Sequence, residues 1–157
     1  MHPAAAFVII VAALLPAAKA AERKSWNKIH YVGGTIDVKT SPYDWNTTLP
    51  VAANPPAVSL TSAPAKLGRI EKIAILPPQI VSLSAGAAAW RRAGEVNGAR
   101  LPARTPALFG LLDDKGYFAI VYETTAGKRE GLLLESYFAW RILPVLKALS
   151  GRDIEGP

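Results

Sequence analysis

LLDDKGYFAIVYETTAGKREGLLLESYFAWRILPVLKALSG, residues 111–151, is the stretch whose reading decides the fold. Asp113-Asp114-Lys115-Gly116 reads as a short hairpin loop, with Gly116 suited to the positive-φ position of a bulged turn. From Tyr117 to Glu123 the residues are β-rich. Phe118, Ile120 and Tyr122 share one face, and Tyr117, Ala119 and Val121 the other. Both faces are apolar, which predicts a central strand. Ala126-Gly127 supplies the next turn and Gly131 to Leu134 the returning strand. Ser136 reads as a helix N-cap. Phe138, Ile142, Val145, Leu146 and Leu149 then recur at helical spacing, and Gly151 stops the run. Pro144 removes a helical hydrogen bond and crowds the Trp140 carbonyl, so a kink is expected near Trp140 and Arg141. A strand meander closing onto a helix over about 136–149 predicts a mainly β, α+β domain with a C-terminal helical lid.

Upstream, the same turn chemistry divides the chain into short strands. Ile29–Val32 and Thr35–Val38 flank Gly33-Gly34, which predicts a tight hairpin. Thr48–Ala52 and Ala57–Thr61 are split by Asn54-Pro55-Pro56, and prolines belong at the ends or edges of strands. Arg69–Leu76 and Ile80–Leu83 are split by Pro77-Pro78, with Ile70, Ile73, Ile75, Ile80, Val81 and Leu83 as core candidates. Ala85–Arg104 reads as a long connection. Ala87–Arg92 can form a helical turn or two there, and Gly94, Gly98 and Pro102 end it.

The N-terminus reads as an export signal. Ala4 to Leu15 is a continuous apolar run, Pro16 breaks it, and Ala18-Lys19-Ala20 places small residues where a signal peptidase cuts. Cleavage after Ala20 is expected, leaving a polar, flexible leader over 21–27 and one domain over 28–155. The alternative is an uncleaved anchor, although the run is shorter than the roughly 20 apolar residues of a spanning helix. The expected location is therefore the periplasm or the medium. The chain has no cysteine, which excludes thiol chemistry, cysteine metal sites and a cysteine-linked lipid anchor. Its net charge is +6, and loss of Lys19 leaves seventeen basic residues against twelve acidic ones. That excess suits an anionic surface such as lipid headgroups or envelope polymer as readily as it suits plain solubility. Export makes nucleic acid the least suitable partner.

No catalytic constellation stands out. One histidine, His30, survives processing, and it lies in an expected strand. A histidine-rich metal site is therefore excluded. The one acidic pair, Asp113-Asp114, is better read as a solvated turn than as a calcium site. Nucleotide-binding glycine motifs and G-x-S-x-G are absent. Asn46-Thr47-Thr48 matches a glycosylation acceptor, a pattern common by chance. No catalytic residue and no cofactor are assigned. Two clusters have binding chemistry. Tyr43 and Trp45 are aromatics in a polar turn, suited to sugar, peptide or interfacial lipid, or else folded back over a barrel end. Trp90, Arg91 and Arg92, with Arg100 and Arg104, form a basic aromatic loop able to clamp phosphate or carboxylate, or else a solvated loop.

Lys28–Thr35 (KIHYVGGT), Tyr43–Asn46 (YDWN), Val81–Gly86 (VSLSAG) and Leu108–Glu123 (LFGLLDDKGYFAIVYE) running into the helix resemble a family of uncharacterised secreted bacterial proteins with a pleckstrin-homology-like domain. The resemblance covers most of residues 28–155. It implies a strongly bent antiparallel β-barrel or sandwich of about seven strands, capped by the C-terminal helix. It brings no activity with it, and domains of this shape mostly bind lipids, peptides or proteins. The expectation is a non-enzymatic binding or scaffolding domain of the cell envelope, with an unknown protein or envelope component as partner. The alternatives are a peripheral module for anionic lipid and a small hydrolase using His30 or a hidden carboxylate pair, tested at His30 and Asp44.

Overall fold

The computed structural model describes residues 23–38, 44–62, 71–103 and 116–156. Eight strands and two helices follow in the order β1 (Arg23–Gly34), β2 (Thr47–Ala53), β3 (Pro56–Ser62), β4 (Glu71–Ile75), β5 (Ile80–Ala85), α1 (Gly86–Gly94), β6 (Tyr117–Glu123), β7 (Arg129–Glu135), α2 (Ala139–Ser150) and β8 (Ile154–Glu155). The strands form one sheet in the order β4-β3-β2-β1-β7-β6-β5-β8. All pairings are antiparallel except that of β8 with β5. The fold is thus mainly β with a C-terminal helix after the meander. It has eight strands where about seven were expected, and the ladder stays open at β4 and β8 instead of closing into a barrel.

The open sheet is nevertheless strongly curled. β4 and β5 lie six strand spacings apart, about 29 Å in a flat sheet. Only Leu76 and the 3₁₀ turn Pro77–Gln79 join them, a link that spans at most about 19 Å. β1 supplies much of the bend. Its first half pairs with β2, its second half pairs with β7, and a bulge interrupts the register between Trp26 and Ile29, where Lys28 has φ 55°. A bulge of this kind bends its strand and increases its twist.

Two elements of β1 differ from the expectation. Residues 23–27, expected as a polar leader, begin the strand, with Lys24–Trp26 paired to Leu49–Val51 of β2. Gly33-Gly34 is not a hairpin. Both glycines continue β1, pairing with Leu133 and Leu132. Gly34 also exchanges backbone hydrogen bonds with Arg100, at 3.0 and 2.8 Å. The glycines are needed because other backbone comes too close for a side chain: a Cβ on Gly33 would overlap the Arg100 carbonyl oxygen, and one on Gly34 the Gly131 carbonyl oxygen.

The concave face holds the main core. Ile29 and Tyr31 (β1), Leu49 (β2), Leu60 (β3), Ile75 (β4), Leu83 (β5), Phe118 and Ile120 (β6) and Leu134 (β7) meet Ala139, Ile142, Leu143 and Leu146 of α2. The other face carries a smaller cluster. Ala89 and Ala93 of α1 sit on Val32, Ala119 and Leu133, with Trp90 and Tyr117 beside them. β6 and β7 are therefore buried on both faces, as the doubly apolar pattern of β6 implies. Small residues line this contact, and they let the helix approach the sheet closely.

The punctuation by proline and glycine holds well. Ala53-Asn54-Pro55-Pro56 turns β2 into β3 with Pro55 in cis at the third position, as in a type VI turn. α1 is a nine-residue helix ending at Gly94. α2 begins at Ala139, not at Ser136. The Ser136 hydroxyl instead accepts a hydrogen bond from the Phe138 amide at 3.0 Å, shaping the turn that leads in. Gly151 closes α2 with φ 71°. Of the apolar stripe expected for α2, Ile142 and Leu146 are buried, whereas Phe138 precedes the helix and is 43 % exposed. The expected signal segment over 1–20, Ile70 and the expected Asp113-Asp114-Lys115 turn lie outside the described residues.

Candidate binding surface

β7 and α2 meet at Glu135–Trp140, and an aromatic surface is built there. The β1–β7 register sets His30 opposite Glu135, and His30 Nδ1 lies 3.2 Å from the Glu135 carboxylate. Trp45, in the segment leading to β2, folds back over His30 with ring centroids 5.5 Å apart. Tyr137 stacks on Trp45 at the same spacing and 13° between planes. Beyond it, Arg141 places its guanidinium 5.1 Å from the Trp140 ring centroid. Tyr137 is 82 % exposed and Trp140 69 %. Together with Phe138, 43 % exposed, they make a row of exposed aromatics along residues 137–140 of the sequence. Offset stacks and exposed cation–π contacts each contribute on the order of 1 kcal/mol.

Trp45 is thus folded back and half-buried, the second of the two placements expected for it, and it stacks against a more exposed ring. Tyr43 lies outside the described residues. Tyr137, Phe138 and Trp140 were not among the expected site residues because their spacing reads as the start of an amphipathic helix. The signal that could have found them is density: three aromatics in four residues exceed what one helix face can bury.

The basic residues do not form one loop. Arg91 and Arg92 lie on α1, and both grip a carboxylate supplied by the chain itself. Arg92 donates to Glu155 through Nε at 2.5 Å and through its terminal nitrogen at 3.2 Å, and Arg91 donates to the same carboxylate at 2.5 Å. Arg92 also donates to Glu95 at 3.1 Å. The Arg92 hydrogen bond holds the Glu155 carboxyl below its usual range, and the same pairing raises Arg92 further. Trp90 packs edge-on against Tyr117 at 5.2 Å. Arg100 stands in a separate backbone bridge to Gly34, its side chain 3.9 Å from Asp37 and almost fully exposed. Arg104 lies outside the described residues.

Clefts open elsewhere among the described residues. One, of about 290 Å³, runs between α2 and the β1–β2 pair and is lined by Lys24, Val51, Pro144, Val145 and Leu149 among others. Another, of about 530 Å³, lies beside α1 and includes Ser82, Arg92, Glu95, Arg129 and Glu155. Among the described residues, no group of three or more histidine and acidic side chains is placed to hold a metal ion. Also among the described residues, no helix is long and apolar enough to cross a membrane. Comparison with known proteins returned no matching family model, no matching curated protein and no matching solved structure.

Proposed function

We propose that the chain is a non-enzymatic binding module of the bacterial cell envelope, exported by its N-terminal apolar segment, which engages an envelope component through the aromatic row beside Trp45. The observation that carries this reading is the exposure of three aromatics within four residues, Tyr137, Phe138 and Trp140. Clustered exposed apolar groups mark interaction sites. Trp45 stacks on Tyr137 and Arg141 packs on Trp140, contacts that narrow the positions open to these two rings. Any such narrowing lowers the entropy cost of binding. The excess of seventeen basic over twelve acidic residues that remains after loss of Lys19 favours anionic partners in addition.

The cation beside Trp140 favours a second reading, peripheral contact with anionic lipid, since tryptophan and tyrosine suit the membrane interface and arginine its headgroups. One experiment separates the two. The purified chain is co-sedimented with isolated bacterial cell walls, and with neutral and anionic phospholipid vesicles at low and high salt. Capture by cell walls, lowered at least tenfold in a Tyr137→Ala/Trp140→Ala variant and kept in Arg91→Ala/Arg92→Ala, is expected. Capture by anionic vesicles alone would support the lipid reading. Equal capture of the aromatic variant and the wild type would overturn the site.

A further inference from the structure

The C-terminal tail is seated on the β5 edge as a ligand is seated in a groove. After Gly151, Arg152 donates from Nε to the Ile80 carbonyl at 3.0 Å. Ile154 and Glu155 then pair in parallel with Leu83 and Ser84. The Glu155 carboxylate is held by the Arg91–Arg92 fork, and Gly156 fits where a Cβ would lie 2.8 Å from the Ala85 carbonyl oxygen and 2.9 Å from the Ala88 side chain. Four tail residues thus meet shaped partners, a carbonyl, a strand edge, a two-arginine clamp and a close glycine seat, while Asp153 pairs with Lys147 of α2 at 3.2 Å. The attachment is short. Only two residue pairs join β8 to the sheet, and the side chains of Arg91, Arg92 and Glu155 all remain more than a third exposed.

We propose that the β5 edge, with the Arg91–Arg92 fork, is a docking groove for an extended acidic segment of another protein, and that Ile154–Gly156 occupies it as a built-in pseudo-ligand. Addition of an extended segment to an exposed strand edge takes its affinity from the backbone and its selectivity from side-chain pockets. Here the side chains select an aliphatic residue, then a carboxylate, then glycine. The clamp is matched to a carboxylate because a guanidinium fork binds its two oxygens together. The groove also continues outward, since Arg92 and Glu155 both line the cleft that reaches Ser82 and Arg129. This surface is separate from the aromatic row, and neither assignment depends on the other.

The probe is a fluorescent peptide of sequence GRDIEGP, residues 151–157 of the chain, titrated by anisotropy against full-length protein. The tethered tail competes at an effective concentration in the millimolar range, so the wild-type chain binds the peptide weakly. Glu155→Ala in the full chain frees the fork, and peptide affinity rises at least tenfold. Adding Arg91→Ala and Arg92→Ala to that variant returns it to the wild-type level or below, and a peptide with glutamine for its glutamate loses the gain. Glu155→Gln, which keeps the side-chain length but replaces one acceptor oxygen with an NH2 donor and removes the charge, gives a second full-length host with the same ordering. Near-UV circular dichroism of the Trp90–Tyr117 pair reports folding of each variant. Peptide binding that is equal in the wild type and both Glu155 variants, or unchanged by loss of the two arginines, overturns the proposal.

Discussion

Gly34 shows how one residue can hold three segments of chain in register. Its φ of 148° is open to glycine and costly for other residues, and any Cβ there would meet the Gly131 carbonyl oxygen and, at 2.9 Å, the Tyr31 hydroxyl. Gly34→Ala must therefore push β1 off β7 and disturb the Arg100 bridge. The expected loss is about 2–4 kcal/mol, which for a chain of this size lowers the melting temperature by roughly 10 °C in a thermal scan. A loss under about 1 kcal/mol would mean that the crossing is not as tight as described. The pair Gly33-Gly34 was legible as a place where side chains are forbidden, and the reason was not. A turn and a close approach both demand glycine, and the approaching backbone comes from Arg100 and Gly131, far along the chain. The arginines pose the same difficulty. Arg91-Arg92 announces a carboxylate or phosphate clamp, but Glu155 lies more than sixty residues away, and nothing local marks it as the partner.

Among the elements, α2 is the one whose sequence works against its structure. Pro144 lies in its interior, so the Trp140 carbonyl has no amide one turn later to receive. Proline there costs about 3 kcal/mol relative to alanine. Its ring is exposed at the wall of the apolar cleft, so packing offsets little of this. Pro144→Ala is therefore expected to stabilise the protein by about 1–2 kcal/mol, read as a higher urea midpoint with an unchanged m-value. A lower midpoint would show that the ring's packing outweighs the lost hydrogen bond. Most other elements were legible because turn residues punctuate them: Asn54-Pro55 between β2 and β3, Pro77-Pro78 between β4 and β5, and Thr124–Lys128 between β6 and β7. The start of β1 was not. Arg23–Asn27 is polar with one inward aromatic, Trp26, and only pairing to β2 makes it a strand.

At the scale of the molecule, curling the sheet brings phenols from β1 and β6 into one core. Tyr31 and Tyr122 are 2 % and 5 % exposed, on the two strands that flank β7, and Tyr31 donates to the Ile36 carbonyl at 3.3 Å. Burial raises both phenols, Tyr122 to about 12 and Tyr31 beyond it, with the Glu130 carboxylate adding to each shift. A raised value means that the folded state prefers the protonated form. The stability this brings is complete below the ordinary tyrosine value of about 10 and is lost as pH rises through the folded values. Glu155 works in the opposite direction. Its folded value is depressed by Arg92, so the grip on the tail is present above the ordinary glutamate range and fades as pH falls through the depressed value. Acid should therefore release β8 while the apolar core stays closed, and alkali should open the core itself. In a titration followed by phenolate absorbance and near-UV circular dichroism together, ionisation of the two core tyrosines is expected to coincide with loss of tertiary signal near or above pH 12. Tyr31→Phe/Tyr122→Phe should fold at neutral pH and move that alkaline midpoint upward. An unmoved midpoint would assign the alkaline limit to groups outside this core.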